Sequence, residues 1–490
     1  MSHALDNHRA NLTTIATLAM FSRGLEPEFS QEVQQQLSQL TGPAHETDAS
    51  IRDQTALPWC SIDNDDSRDL DQLTAVEPLA SGELKVFVAV ADVDALVVKG
   101  SPIDEHARIN TTSVYTSARV FPMLPERLCT DLTSLNQDED RLALINEMTF
   151  TSDGNLVNST IYRARVRNKA KLAYDAVSAW IDGKGELPAA AQRIAGMDTQ
   201  LRIQDEIAQK LRVLRRAQGS LEFETFQPRA LFQGDRITDI KQQQQNRARQ
   251  LIEELMIATN GCTAHFLAAQ GSPSLRRVVR SPERWQRIVD VANDYGVKLP
   301  GQPDGKALEA FLAQQHKADP LRFPDLSLVI VKLMGRGEYV VERPDSPPIG
   351  HFGLAVQDYT HSTAPNRRFP DLITIRMLKA ALAGMKLPYS NDELEGLATH
   401  CTAQEDAAQK VERQVRKSEA ALLLHTHIGQ IFSAIVTGIG DKGTWVRIFE
   451  PPVEGRLKSD KSVLKVGQSL RVQLVSTSVE RGFIDFVLAH

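Results

Sequence analysis

The chain has 490 residues, 42% of them hydrophobic and 24% charged, a balance that excludes wholesale disorder and supplies enough core for two or three domains. A formal net charge of −6 does not advertise a polyanion partner, so any nucleic-acid surface has to be a local concentration of Lys and Arg. Four scattered cysteines (Cys60, Cys129, Cys262, Cys401), with no Cys-x-x-Cys pair, argue against a zinc site and against a secreted disulfide framework.

The N-terminus is polar and lacks a signal-peptide core, and the most apolar run, Val86 to Val98, is broken by Asp92 and Asp94. No membrane span is expected, and a reducing cytoplasm is the default compartment. Residues 11 to 40 read as two helices. Phe29, Val33, Leu37 and Leu40 repeat at helical spacing, and Gly24 with Pro27 separates them from Leu12, Ile15, Ala16 and Ala19. They form either a small helix-turn-helix unit or a plain packing cap. Thr41 to Ser50 reads as a linker.

From about Leu57 the pattern changes. Between Ser61 and Gln72 lie Asp63, Asp65, Asp66, Asp69 and Asp71, with Arg68 the one basic residue. Carboxylates this close repel one another, so a folded chain rarely tolerates them without a cation. Asp63 follows an apolar lead, Trp59 to Ile62, as if leaving a strand. Asp69 and Asp71 are two apart, so in an extended segment they point the same way. A solvated acidic turn, a calcium loop and a Mg²⁺ site for phosphoryl chemistry all compete for this loop. The calcium reading fails in detail, with Arg68 where the turn wants Gly and Thr74 where a bidentate Glu belongs. The loop alone does not choose between the other two.

Leu84 to Val90 is strand-like. Arg163, Arg165, Arg167, Lys169 and Lys171 then alternate through residues 161 to 172, and a single strand would put all five on one face. A one-sign row reads as a phosphate-tracking surface ahead of a merely solvated strand. Residues 198 to 217 form an amphipathic helix, Gln242 to Gln245 a loop or helix lead-in, and Arg249 to Leu267 a helix with Leu251, Leu255 and Ala258 inward. Adjacent Glu253 and Glu254 cannot share a face, so at least one looks toward solvent or a site. Residues 281 to 315 read as a helical insertion, and further helices run from Pro388 to Leu424. From Gly429 on, short β-patterned runs separated by Gly-containing turns suggest an OB-type barrel. In it Trp445, Arg447 and Phe449 alternate, either as a stacking and phosphate-contacting face or with the two aromatics in the core.

A second stretch, His351 to Ile373, holds Arg367 and Arg368 between Pro365 and Pro370, so the guanidinia sit on a stiffened turn suited to phosphate oxygens. Ser-Ile-Asp63-x5-Asp69-Leu-Asp71 and Tyr359-Thr-His361-x-Thr-x-Pro365-x-Arg367-Arg368-Phe-Pro-Asp371 resemble the two signature segments of the RNase II/RNase R (RNB) exoribonucleases. Phe121-Pro-Met-Leu-Pro125, Lys169-Ala-Lys-Leu-Ala-Tyr174 and Ile252-Glu253-Glu254-Leu-Met-Ile-Ala extend the resemblance, which runs from about residue 57 to the end. The final barrel is similar to the S-one type RNA-binding domain that ends these enzymes.

The resemblance implies an α+β fold: residues 1–50 a helical region and linker, 51–426 an RNB catalytic domain of mixed sheets flanked by helices around an RNA channel, and 427–490 an all-β OB barrel. It implies a hydrolytic, Mg²⁺-dependent 3′→5′ exoribonuclease that degrades single-stranded RNA processively to nucleoside 5′-monophosphates. Asp63, Asp69 and Asp71 would bind one or two Mg²⁺ ions and orient the attacking water, and Arg367 would hold the scissile phosphate. Tyr115 and Phe223 would clamp the terminal bases, Tyr174 and Glu253 would contact the ribose 2′-OH, and Glu412 would stand near the 3′-end. The expected partner is single-stranded RNA with a free 3′-end, and the protein is expected to be a cytoplasmic monomer. The chain departs from the family at Gln72, where a fourth aspartate and metal ligand is usual, and at Ala364 and Asn366 in Ser-Pro-Ile-Arg. The paired N-terminal cold-shock barrels do not fit in some fifty helical residues. The rival reading is an RNB-like shell that binds RNA and, with Gln72 in place of a carboxylate, cuts it weakly.

Overall fold

Side-chain caps start both N-terminal helices: Asn7 accepts from Ala10 N before α1 (His8–Phe21), and Ser30 accepts from Val33 N before α2 (Gln31–Gln39). The protein is described from a computed structural model covering residues 7–224, 228–242, 245–320, 322–344, 346–440, 443–458 and 464–489. After the linker the chain enters β1 (Arg52–Asp53), β2 (Cys60–Asp63), β3 (Gln72–Pro78) and β4 (Leu84–Ala91), then helix α3 (Pro102–Asn110) and the short pair β5 (Val114–Tyr115) and β6 (Val120–Phe121). The long hairpin β7 (Asp140–Phe150) and β8 (Leu156–Arg167) and the short β9 (Ala170–Ala173) complete one seven-stranded sheet in the order β1-β8-β7-β4-β3-β2-β9. Its central strand β4 buries Val86 through Ala91, as an apolar run covered on both faces must.

β8 and β9 follow one another in sequence yet stand toward opposite sides of that order, so the sheet rolls. Buried Asn168 joins them, donating to Ser61 Oγ and to the Leu135 carbonyl, both at 3.0 Å. This corrects the expected basic row. Arg163, Arg165 and Arg167 lie on β8, but Lys169 falls in the crossover and Lys171 on β9, where it pairs with β2.

Helices α4 (Tyr174–Ile181), α5 (Ala189–Gln192) and α6 (Met197–Ala217) follow. α6 lies on the sheet, with Gln204 accepting from Thr74 Oγ1 at 2.7 Å and Gln200 from Val76 N at 2.9 Å. A hairpin absent from the sequence reading, β10 (Pro228–Gln233) and β11 (Arg236–Gln242), comes before α7 (Arg247–Ala269). Gln242 ends β11 instead of opening a loop, while residues 243–244 lie outside the described residues. β12 (Ser274–Val278) pairs with β13 (Glu338–Glu342), and between them α8 (Trp285–Asp294), α9 (Gly305–Ala318) and α10 (Phe323–Met334) bury Trp285, Ile288, Phe311 and Ile330 as a separate cluster.

α11 (Phe369–Leu382) is buried nearly all round, and α12 (Asn391–Leu424) is a single helix, about 50 Å long at 1.5 Å per residue, where several were expected. Beyond it β14 (Ile431–Gly440), β15 (Gly443–Ile448), β16 (Glu454–Leu457), β17 (Ser469–Ser478) and β18 (Phe483–Leu488) close into the barrel read from the sequence, in the order β14-β15-β16-β18-β17. On β15, Arg447 is not left facing solvent: both terminal nitrogens bind Asp325 at the start of α10, at 2.7 and 3.0 Å. Trp445 beside it is half-buried, and Phe449 is exposed.

Candidate active site

β2 and β9 run parallel, with Asp63 opposite Ala173, so Asp63 and Tyr174 emerge together from the same end of the sheet. The acidic loop leaves β2 at Asp63, whose Oδ1 accepts from Asn64 N at 2.7 Å. It is pinned at Leu70, a buried side chain whose N–H donates to Ser134 Oγ at 3.0 Å and whose carbonyl accepts from Leu135 N at 2.9 Å. With Leu70 turned into the core, the alternation along an extended segment sends Asp69 and Asp71 the other way. Asp65 and Asp66 stay exposed.

Asp71 is 4% exposed. Burial pushes its carboxyl up to about 8, with Arg367 pulling it down and Asp69 pushing it further up. Asp63 is also raised, first by burial, with Asp69 adding and Arg367 opposing. Three carboxylates thus share one site with a single guanidinium facing them.

That guanidinium arrives from the second segment. Residues 364–368 form a turn in which Arg367 N and Arg368 N both donate to the Ala364 carbonyl, at 3.2 and 3.0 Å. The turn is locked from below by Asp371, fully buried in the first turn of α11, which accepts from Ala364 N and from Arg368 Nη2, both at 2.8 Å. Asn366 N then donates to Asp71 Oδ1 at 2.9 Å across 295 positions of sequence, and Arg367 Nε lies 3.5 Å from Asp71 Oδ2. Of the two neighbouring arginines, Arg368 is the anchor, 19% exposed against buried Asp371, and Arg367 the one that remains 42% exposed. His361 of the same segment is partly buried and held well below its ordinary pKa by desolvation and by Arg368, with Tyr339 Oη 2.8 Å from its Nδ1.

The other expected residues divide. Tyr115, 42% exposed, donates from its hydroxyl to Asp69 Oδ2 at 3.2 Å, and its backbone N–H donates to Glu412 Oε1 at 3.1 Å. Burial and the Asp69 charge push its hydroxyl well up, which keeps it a donor. Tyr174 lies close enough to Asp63 and Arg367 to feel both charges. Glu253 faces outward on α7 while Glu254 is buried against Arg215, Oε1 to Nη2 at 2.5 Å, as their adjacency required. Phe223 instead packs on the apolar cluster of α8–α10, and among the described residues it makes no ring pair with Tyr115. The β8 arginines do not form a bare phosphate track: Arg163 is held by Glu46 and Asp92, Arg165 by Asp53 and Arg167 by Asp140. The strand itself carries no acid; the opposite charges come from its neighbours. Gln72 opens β3 opposite Val90, and adjacent strand residues point to opposite faces, so it does not extend the Asp71 side.

Two residues of this site carried no signal alone. Glu419, two turns beyond Glu412 on α12, accepts from Ser117 Oγ at 2.5 Å and so holds the Tyr115 turn a second time. Arg249 stacks on Tyr174 and reaches Asn64. Their spacing, seven after Glu412 and four before Glu253, was the available clue.

Among the described residues no three His, Cys, Asp or Glu side chains close into a metal site by themselves. In donor chemistry Asp63, Asp69 and Asp71 nonetheless fit a hard divalent cation: they are oxygen ligands whose mutual repulsion one guanidinium does not offset.

Residues 51–384 match the RNB domain family, and residues 430–489 match the RNase II-type exonuclease C-terminal S1 domain. Ribonuclease R 1 of Lactococcus lactis is 30% identical over 458 residues, which cover 87% of this chain and 55% of that protein. Ribonuclease R of Escherichia coli is 30% identical over 496 residues, covering 94% and 60%. The chain therefore spans little more than half the length of these curated relatives. Mycoplasma genitalium RNase R, solved in complex with ribose methylated single-stranded RNA, shares the fold with a TM-score of 0.89 at 23% identity, over 99% of this chain and 78% of that one.

Proposed function

The chain belongs to the RNB family, and on that premise we propose that it is a hydrolytic, Mg²⁺-dependent 3′→5′ exoribonuclease that degrades single-stranded RNA processively to nucleoside 5′-monophosphates. One observation carries the reading: the Asn366–Arg367 turn docks on buried Asp71, so acid and guanidinium from distant segments occupy one site. A solved relative that holds single-stranded RNA supports the substrate class.

Asp63, Asp69 and Asp71 would hold the cation, without Gln72, which opens β3 on the other face. When bound, Mg²⁺ supplies Lewis acidity to the phosphate oxygens and acidifies water. Arg367, with no closer carboxylate than Asp71 among the described residues and fixed by its turn, binds the scissile phosphate and stabilises charge growing on it. Tyr115 offers its exposed ring to the terminal base while Glu412 holds its backbone N–H and Glu419 holds the Ser117 hydroxyl two residues on. Tyr174 and Glu253 read the ribose, which lets RNA be told from DNA. A monomer working in the cytoplasm is part of the proposal; no described helix is long and apolar enough to cross a membrane, and the four cysteines are buried and free.

The test is a 5′-labelled oligoadenylate with a free 3′-hydroxyl, incubated with the purified chain in Mg²⁺ or in EDTA. Stepwise shortening with release of 5′-monophosphates in Mg²⁺ alone is expected. RNA left intact in both, or cut internally, overturns the reading.

A further inference from the structure

Arg249 stands in the first turn of α7, its N–H donating to the cap residue Asn246 at 3.0 Å. Its guanidinium carbon lies 4.4 Å from the centre of the Tyr174 ring, and Nη2 donates to Asn64 Oδ1 at 2.8 Å, against the residue that follows Asp63. The other cations beside the acidic loop each meet a carboxylate: Arg68 meets Glu126, Arg229 meets Asp66 and Arg367 meets Asp71. Arg249 has no carboxylate partner among the described residues, although it is half-buried and its Nε is buried with no hydrogen bond. A guanidinium partly withdrawn from water and left without a counter-anion is unfavourable unless an anion reaches it. Glu253 lies one helical turn further along the same face, and the Tyr174 hydroxyl lies within the fields of Arg249 and Arg367 together.

We propose that Arg249 is a second phosphate-binding residue, which grips the phosphodiester next to the scissile one while Arg367 grips the scissile group. The assignment rests on the exoribonuclease reading and adds a residue to it. Stacking on Tyr174 fixes the plane of the guanidinium fork, the geometry that favours phosphate oxygens over a diffuse cation contact. A residue that merely props Tyr174 and Asn64 would be indifferent to the charge of the RNA backbone, and this difference separates the two roles.

The test is a binding cycle in EDTA, which stops turnover. Oligoadenylate is offered either with all its phosphodiesters or with one neutral methylphosphonate at each linkage near the 3′-end in turn, to wild type, Arg249→Met and Arg249→Lys. Arg249→Met, which keeps an unbranched apolar stem over Tyr174, is expected to weaken binding of the unmodified RNA about ten- to a hundredfold. It should lower the slope of log affinity against log salt by about 0.7. One methylphosphonate position that weakens wild type should become silent in Arg249→Met, and Arg249→Lys should recover part of the loss. Losses that multiply at every linkage, with an unchanged salt slope, overturn the assignment and leave the exoribonuclease reading standing. Failure of wild type to bind the unmodified RNA overturns both.

Discussion

Asp71 sits in the fold with its carboxyl raised to about 8 by burial, against 3.8 for an ordinary aspartate, and this has a consequence for stability. In EDTA the native state holds that proton through a pH range in which the unfolded chain has released it, so stability falls as pH rises from about 4 to about 8. Asp71→Asn keeps an acceptor for Asn366 N–H and never ionises. Its melting temperature in EDTA should match wild type near pH 4 and exceed it increasingly toward about pH 8.5; a constant offset across that range contradicts the assignment. Tyr115 makes two separable contributions, an exposed ring and a hydroxyl bound to Asp69. Tyr115→Ala should leave longer limit products on an oligoadenylate ladder, whereas Tyr115→Phe keeps the ring and should keep the wild-type end point. An unchanged ladder for Tyr115→Ala removes the clamp from the account.

Elements act here by holding those residues. α12 directs Glu405, Glu412 and Glu419, seven positions apart, to Arg277, the Tyr115 N–H and Ser117 Oγ in turn. Glu419→Ala should therefore shift limit products in the same direction as Tyr115→Ala but by less, read on the same ladder. His351 and His361 support the turn segment as neutral rings. Burial pushes His351 down to about 4, with Arg277 adding, and holds His361 well below its ordinary value, with Arg368 adding. Both protonate near 6.5 once unfolded, so stability should fall as pH drops from about 6.5 to about 4, and His351→Gln should lose less across that window in thermal melts. The sequence showed most elements because their periodicity is local: α1, α6, α7 and the barrel strands all follow it. It joined β8 and β9 into one strand because alternation continues through Asn168 and Lys169, and only the roll of the sheet places them apart. The same limit hid the acids that neutralise Arg163, Arg165 and Arg167, which come from the linker, β1, β7 and the turn after β4.

At the scale of the molecule, the barrel is tied to the helical insertion by the Arg447–Asp325 pair, both side chains largely withdrawn from water. Removing one partner of such a pair typically costs about 3–5 kcal/mol. Asp325→Ala should loosen the barrel, visible as faster proteolysis near residues 425–430 and weaker binding of long RNA, with short oligomers still degraded. The contact was not legible beforehand, since Arg447 reads equally as an RNA contact until Asp325 is placed beside it. The docking of Asn366 and Arg367 on Asp71 could be expected from the two motifs, but its geometry needed both segments in the fold. The account stands on that docking, and the most direct measurement is turnover and binding by Asp71→Asn in Mg²⁺. Undiminished RNA binding with turnover reduced at least about a hundredfold is predicted; digestion of oligoadenylate at a near wild-type rate contradicts the account.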